Sequence, residues 1–197
     1  MSEAASYKAI VIGTSAGGLY ALIAILRDLP ATFPLPIIVV QHRSKDQREL
    51  LEEVLQTRCR LAIKQADEKE AIEGGVVYIA PPDYHLLVEN DHTLSLSADE
   101  PVRFSRPSID VLFETAAAAF SGSLIGMVLT GASNDGAAGI SAIKKAGGLT
   151  IAQDPNEALF AVMPSAAIET KNITFVKTLQ QIHDFLLQLT NTSYEKK

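Results

Sequence analysis

A glycine-rich turn lies between two apolar segments near the start of the chain. Residues 13–18 read GTSAGG, follow the apolar run at 9–12, and precede a longer apolar run at 19–26. A short apolar run rich in β-branched side chains predicts a buried strand, and the longer run predicts a helix. The segment is therefore predicted to form a strand, a tight turn and a helix, which is the first half of a βαβ unit in a parallel sheet.

Ser15 lies within this turn, at the position where a hydrolase would place its nucleophile. Small neighbouring residues let the chain turn sharply and present Oγ at the carboxyl edge of the sheet. The first amides of the following helix are free to bind an oxyanion, and we assign this role to the backbone of Ala16 and Gly17. The same turn also fits a phosphate-binding loop whose serine has no chemical role, and the turn alone does not separate the two interpretations.

His42 favours the nucleophile interpretation. It follows the second apolar run, residues 36–40, about one βαβ unit after Ser15. The carboxyl ends of neighbouring parallel strands lie side by side, so the imidazole is placed to take the proton of the serine hydroxyl. A dinucleotide-binding turn would instead read G-x-G-x-x-G and be followed by an acidic residue at the end of the second strand.

Asp135 follows a third apolar run, residues 124–130. A carboxylate at this strand end can hold the imidazole in one tautomer and stabilise the imidazolium, as the third member of a catalytic triad does. Asp135 could equally cap a helix that begins near Gly136. Because three residues of the triad types follow three predicted strands, the pattern favours the catalytic interpretation.

Seven motifs of the sequence carry a resemblance to a known family. They lie at residues 12–18, 41–42, 79–86, 106–113, 129–136, 153–155 and 163–164. From about Tyr7 to Leu189 the chain resembles the catalytic domain of the CheB family, the bacterial chemotaxis protein-glutamate methylesterases. The resemblance implies that Ser15, His42 and Asp135 form the triad. It also implies that the partners are methylated cytoplasmic helices of chemoreceptors, with glutamine deamidation as a second activity in some members.

The chain departs from the family pattern in the pocket and at its amino terminus. Ala132 and Ser133 stand where the family commonly has Met and Gly, and Ala16 replaces a common Thr. Many members begin with a receiver domain, whereas residues 1–6 precede the first predicted strand here. We expect a methylesterase catalytic domain at 7–189, a carboxy-terminal tail at 190–197, no receiver domain and no regulation by that route. A methyltransferase or a regulator on another chain is a further candidate partner.

The remaining patterns predict an α/β fold with a doubly wound, mostly parallel sheet and an antiparallel hairpin insert at one edge. Turn signals between short β-rich segments predict antiparallel hairpins with strands at 76–80, 85–89 and 93–97. Helices are predicted at 18–29, 44–57, 107–120 and 178–189. Pro30 ends the first helix, and Ser44 and Thr178 begin sequences with capping-box spacing.

Composition excludes several classes of protein. The chain has 197 residues, 47% of them hydrophobic, which suits one domain with its own core. A net charge of −6 without a Lys/Arg cluster disfavours a nucleic-acid binder. No apolar run approaches about 18 residues, so membrane insertion is not expected. The amino terminus lacks the basic region of a signal peptide, which indicates a cytoplasmic protein.

Three residues are candidates for substrate binding. Arg43 directly follows the histidine and Arg106 precedes Pro107, so the mouth of the site is less acidic than the chain as a whole. Such arginines could steer a Glu-rich receptor helix, although a solvated rim explains them equally well. Ala132 is the third candidate, because the exchange at this position changes the pocket.

No metal or other cofactor is expected. Neither Cys59 nor the histidines show ligand spacing such as H-E-x-x-H or C-x-x-C. Cys59 is interpreted as a small packed side chain. His85 belongs to a family motif, and its role is either in the pocket or in packing of the hairpin. The functional alternatives are a noncatalytic regulatory or scaffold module of the same fold, and a general esterase with the same chemistry.

Overall fold

The structure is a computed structural model that describes residues 7–43 and 51–192. Its strands are β1 (Ala9–Thr14), β2 (Ile37–Gln41), β3 (Ala62–Gln65), β4 (Val76–Ile79), β5 (His85–Val88), β6 (Leu94–Ser97), β7 (Leu124–Val128), β8 (Leu149–Gln153) and β9 (Phe175–Lys177). Its α-helices are α1 (Gly18–Leu26), α2 (Leu51–Gln56), α3 (Ile109–Phe120), α4 (Ala137–Lys145), α5 (Val162–Glu169) and α6 (Leu179–Thr192).

The main sheet has seven strands in the order β3-β4-β2-β1-β7-β8-β9, and every pair in it is parallel. β1 lies at the centre, with Thr14 opposite Gln41 of β2 and Gly13 opposite Val128 of β7. The chain therefore reverses its direction of winding at β1, which is where open α/β sheets place their ligands. The loops after β1, β2 and β7 meet at this point.

Helices cover both faces of the sheet, as the continuous apolar strands require. Ile10 and Ile12 of β1 pack on the face covered by α1, α2 and α6. Ala9 and Val11 pack on the opposite face, beneath α3, α4 and α5. All six residues of β1 are buried, so the turn that follows this strand starts from a rigid support.

The predicted fold class is confirmed, with one difference in the placement of the insert. β5 and β6 pair with each other in a separate two-stranded antiparallel sheet that packs against α3. The prediction that 76–80 forms a hairpin strand is wrong, because β4 pairs in parallel with both β2 and β3. Pro81 and Pro82 lack backbone N–H donors, which ends this pairing before the hairpin begins.

The predicted helices are present, and most of their ends differ by one to three residues. α1 ends at Leu26, and Leu29 then donates its amide to Leu26 O in a turn. α6 has the expected capping box, in which Thr178 N binds Gln181 Oε1 and Gln181 N binds Thr178 Oγ. Of the helix predicted at 44–57, α2 forms the described part, and the capping box at Ser44 lies outside the described residues.

Candidate active site

The turn that carries Ser15 is held by the end of β7. Ser15 N donates to Thr130 O at 3.0 Å, and Thr130 Oγ1 donates to Ala16 O at 2.9 Å. Gly18 N closes the turn on Ser15 O at 2.9 Å. Gly17 has a φ of 80°, in the left-handed region that glycine tolerates best, and is the N-cap of α1. Within the described residues, the amides of Ala16 and Gly17 donate to no acceptor, so both are free to bind an anion.

Gln41 ties the serine turn to the histidine. Its Nε2 donates to Ser15 O at 2.8 Å and to His42 O at 2.9 Å. His42 N in turn donates to Thr14 O at 3.0 Å, which continues the pairing of β1 and β2 by one residue. These contacts fix the backbones of Ser15 and His42 relative to each other.

Asp135 binds the imidazole of His42. The distance from His42 Nε2 to Asp135 Oδ2 is 2.8 Å, and the carboxylate is fully buried. Three further donors from the start of α3 complete its coordination. These donors are Ser108 Oγ at 2.9 Å, Ile109 N at 2.7 Å and Asp110 N at 2.9 Å.

These hydrogen bonds keep Asp135 ionised. Burial by itself raises the pKa of the carboxyl, but hydrogen bonds from His42, Asp110 N and Ile109 N outweigh it and hold the pKa below its ordinary value. An ionised carboxylate only accepts hydrogen bonds, so His42 Nε2 carries the proton of the neutral ring. Nδ1 of His42 is left as the nitrogen that can accept a proton from a substrate or a nucleophile.

The alternative that Asp135 caps the helix that follows it does not hold. Gly136 is the N-cap of α4, and no side chain makes the cap hydrogen bond there. The carboxylate of Asp135 turns instead toward α3, a helix formed by a distant part of the chain. Asp135 therefore stabilises one helix end and binds the histidine at the same time.

Ser15 and His42 line the same cavity, which has a volume of about 410 Å³. Its other wall consists of residues 104–107, and the side chain of Phe104 is fully exposed beside it. A second cavity, of about 570 Å³, lies along α1 and also contacts Ser15 and His42. Within the described residues Ser15 Oγ makes no hydrogen bond, either to His42 or to any other group.

Arg43 and Arg106 line the cavity, and most of their donors are engaged by other groups of the chain, with Arg43 Nε as the buried exception among the described residues. Arg43 binds the carboxylate of Glu52 at 2.6 and 3.1 Å and the carbonyl of Ala80 at 3.1 Å. Arg106 binds Asp83 Oδ1 at 2.7 and 3.0 Å. Its remaining contacts are the carbonyls of residues 98 and 99, at 2.8 and 2.9 Å. Both arginines therefore build the wall of the cavity, and substrate binding by them stays a prediction.

Ala132 is exposed and follows Gly131 in the loop after β7. It lines neither of the two cavities that contact Ser15. Gly131 itself is close to the serine, because a Cβ at this position would lie 2.9 Å from Ser15 Cβ. A contact of Ala132 with substrate also stays a prediction.

The remaining histidines and Cys59 are held by backbone contacts or buried in the core, outside the candidate triad. His85, His92 and His183 each lie within 3.3 Å of a backbone carbonyl oxygen. No group of three or more His, Cys, Asp or Glu in residues 7–43 and 51–192 could hold a metal ion. Cys59 is buried, and burial raises the pKa of its thiol to about 11, so it is no nucleophile at neutral pH.

Over the same described ranges, no helix is long and apolar enough to cross a membrane.

No sequence pattern predicts a role for Gln41, Ser108 or Thr130, which position the three candidate catalytic residues. All three belong to motifs that carry the family resemblance, and this was the available signal. Their contacts are with backbone groups or with a carboxylate far away in the sequence. Such contacts leave no periodic pattern in the chain.

Comparison with known proteins gives one consistent result. The family described as CheB methylesterase matches residues 10–186. The crystal structure of the Thermotoga maritima CheB methylesterase catalytic domain superposes with a TM-score of 0.88 at 33% identity, covering 93% of this chain and 99% of that one. A protein of Leptospira interrogans is 47% identical over 98% of this chain and 100% of its own length. A protein-glutamate methylesterase/protein-glutamine glutaminase of Archaeoglobus fulgidus is 38% identical over 91% of this chain and 52% of its own length.

Proposed function

This chain belongs to the CheB methylesterase family, and from that premise we propose that it removes methyl groups from glutamate methyl esters of chemoreceptors. The observation that carries the proposal is the 2.8 Å contact between His42 Nε2 and Asp135 Oδ2 beside the cavity that Ser15 lines. The substrate would be a methylated cytoplasmic helix of a receptor, which places the protein in the cytoplasm. A methyltransferase or a regulator on another chain stays a predicted partner.

In the first half of the reaction Ser15 Oγ attacks the γ-carbonyl carbon of the methylated glutamate. His42 Nδ1 takes the hydroxyl proton, and Asp135 stabilises the resulting imidazolium through Nε2. The carbonyl electrons move onto oxygen, and the free amides of Ala16 and Gly17 bind this oxyanion. When the tetrahedral intermediate collapses, the bond to the methoxy oxygen breaks and methanol leaves with the proton from His42.

Water completes the reaction on the acyl-enzyme. His42 Nδ1 removes a proton from the water, whose oxygen attacks the acyl carbon. The second intermediate expels Ser15 Oγ, which recovers its proton from the imidazolium. The products are a free glutamate side chain and the original serine, and every step uses groups of this chain and water.

Deamidation of glutamine would follow the same route. The name of the Archaeoglobus fulgidus relative includes protein-glutamine glutaminase. An amide carbonyl would form the same acyl-enzyme, with ammonia leaving in place of methanol. The imidazolium at His42 supplies the proton that the nitrogen leaving group requires.

A noncatalytic scaffold of the same fold is the alternative, and the exchanges at Ala132 and Ser133 are the features that motivated it. The helix contacts of Asp135 would suit a scaffold as well, but a scaffold would not need its carboxylate to hold the imidazole of His42 beside the cavity that Ser15 lines. The triad geometry therefore supports the enzyme over the scaffold.

The test is release of methanol from receptor membranes that carry radiolabelled methyl esters. The purified protein is expected to release methanol, and prior treatment with a serine-reactive fluorophosphonate is expected to abolish the release. A protein that neither releases methanol nor reacts with the probe would overturn the assignment and favour the scaffold.

A further inference from the structure

His85 lies outside both cavities at the active site, and both of its ring nitrogens are engaged. It is the first residue of β5, and its exposed fraction is 2%. Ser108 N donates to His85 Nδ1 at 3.1 Å, and His85 Nε2 lies 3.1 Å from Glu100 O. The ring thus joins the segment before α3 to the segment that leads into the cavity wall.

The two partners fix the tautomer of His85. A backbone amide can only donate, so Nδ1 has to be unprotonated to accept the hydrogen of Ser108. A carbonyl oxygen can only accept, so Nε2 has to carry the proton that binds Glu100 O. His85 is consequently held as the neutral Nε2–H form.

Ser108 links His85 to Asp135, because its backbone amide binds the first residue and its hydroxyl binds the second. Its side chain is fully buried, and its Oγ donates to Asp135 Oδ1 at 2.9 Å while its N–H is held by His85. The backbone at Ser108 is extended, with φ −104° and ψ 136°, and α3 begins directly after it. A continuous chain of hydrogen bonds therefore runs from His85 through Ser108 and Asp135 to His42.

We propose that His85 is a positioning residue of the active site, which holds Ser108 so that the Asp135 carboxylate keeps the orientation that His42 needs. The inference rests on the triad proposed above and adds to it a residue that does not line the cavity. If His85 lost its Nδ1 acceptor, the buried amide of Ser108 would have no partner. The backbone would rotate to satisfy it, and Oγ would leave Asp135.

The effect is expected in the chemical step and not in substrate binding. His85 lines neither cavity, so we expect the KM for a receptor helix to stay unchanged when it is replaced. A shifted carboxylate would misplace the imidazole by a fraction of an ångström, which lowers kcat by about 10- to 100-fold. It would also stabilise the imidazolium less, so the acid limb of the pH–rate profile would move to lower pH.

Two amide variants, each of which replaces one of the two ring nitrogens, separate positioning from general packing. In His85→Asn the side-chain oxygen stands near the place of Nδ1 and can accept from Ser108, whereas in His85→Gln the amide nitrogen stands near the place of Nε2 and can donate to Glu100 O. We expect kcat of the Asn variant within about threefold of the parent and kcat of the Gln variant lowered by about 10-fold or more, both with unchanged KM. Equal losses in both variants, or a loss confined to KM, would overturn the proposal.

A double-mutant cycle checks the path through Ser108. Ser108→Ala removes the hydrogen bond to Asp135 Oδ1 and leaves the backbone amide in place. If His85 acts through Ser108, the double variant His85→Gln, Ser108→Ala is no slower than the slower single variant. Multiplicative losses would show that His85 acts by another route, and the proposal would be wrong.

A measurement without substrate keeps this proposal separate from the proposed function. The proton between His42 Nε2 and Asp135 Oδ2 is expected as a low-field NMR resonance, assigned by its loss in His42→Gln. It should persist in His85→Asn and shift or broaden in His85→Gln. An unchanged resonance in His85→Gln would overturn the positioning role even if methanol release were seen. If the variants show the expected NMR changes but the parent protein releases no methanol, only the proposed function would be overturned.

Discussion

Asp110 of α3 binds the N-terminus of α4, and Asp135, which directly precedes α4, binds the N-terminus of α3. Asp135, directly before α4, accepts from Ile109 N and Asp110 N at the start of α3. Asp110, in the first turn of α3, accepts from Gly136 N at 2.9 Å and Gly139 N at 2.7 Å at the start of α4. The two helices are locked in register by this exchange, and the register sets where Asp135 meets the histidine.

The exchange places two buried carboxylates close together, and their ionisation differs. Burial raises the pKa of Asp110, and the negative charge of Asp135 raises it further despite hydrogen bonds from the amides of α4. Arg103 Nε, 3.1 Å from Asp110 Oδ2, partly compensates from an exposed position. Asp135 has the imidazole as an additional partner, and its pKa is held below the ordinary value.

The first prediction concerns the nucleophile. Ser15→Ala removes the attacking oxygen and is expected to lower kcat by about 10⁴-fold or more without loss of the fold. Methanol release and circular dichroism would measure the two effects. Ser165→Ala is a matched control, because this serine lies on α5 and none of the described hydrogen bonds involves its Oγ. Activity of Ser15→Ala within about tenfold of the parent would exclude Ser15 as the nucleophile.

A second prediction concerns the orientation of the imidazole. Asp135→Asn keeps an oxygen that can accept from the amides of α3, but its NH₂ group cannot accept from His42 Nε2–H. The wrong tautomer should lower kcat by about 10⁴-fold. Steady-state kinetics at the pH optimum would test this, and an Asn variant with parental activity would contradict the triad.

The third prediction concerns the pH dependence of the reaction. His42 has to be unprotonated to accept the proton of Ser15, so kcat/KM should fall on acidification. Asp135→Asn should move this acid limb to lower pH, since the carboxylate no longer stabilises the imidazolium. A pH–rate profile that stays flat on acidification would refute the general-base role of His42.

The fourth prediction compares how Asp135 and Asp110 contribute to the free energy of unfolding. The pKa of Asp135 is lowered on folding, so its contribution to the free energy of unfolding is present above the unfolded value, about 3.9, and is lost as the pH falls through the lower folded value. The pKa of Asp110 is raised, so its ionisation costs stability as the pH rises from the unfolded value through the folded one. At pH 7 Asp135→Asn should therefore destabilise the protein and Asp110→Asn should stabilise it.

Chemical denaturation at several pH values would measure both differences. The difference at Asp135 should shrink as the pH falls below about 4 toward the lowered folded pKa. The difference at Asp110 should already shrink as the pH falls through the raised folded pKa and be gone near about 4. Destabilisation by both variants at pH 7, with no change toward acid pH, would mean that lost packing and not charge determines these differences.

The fifth prediction concerns Gln41 and compares alanine substitutions at two glycines, Gly18 and Gly122. A Cβ at Gly18 would lie 2.6 Å from Thr14 Oγ1 and would also collide with Gln41 Oε1. Gly18→Ala should displace the Gln41 side chain from Ser15 O and His42 O and lower kcat by about 10- to 100-fold. Gly122→Ala is the control, because the nearest atom to a Cβ there is at 3.6 Å, which is ordinary contact. Equal activity of the two variants would contradict the role of Gln41.

Local patterns along the chain predict the parallel α/β fold and the placement of Ser15, His42 and Asp135 after three strands. Apolar runs, glycine-rich turns and capping boxes act over a few residues, so they can be recognised along the chain. The capping box at Thr178 is an example, since its partners are three residues apart.

The groups that surround those three residues depend on contacts between distant parts of the chain. Asp135 meets the first turn of α3 and Arg106 meets Asp83 because separate parts of the chain pack together, at sequence separations of 26 and 23 residues. The pairing of β4 with β2 and β3 likewise depends on which strands are neighbours and not on the pattern within the strand. Hydrogen bonds between distant side chains and backbone groups form only after the sheet and its helices are in place, so no local pattern predicts them.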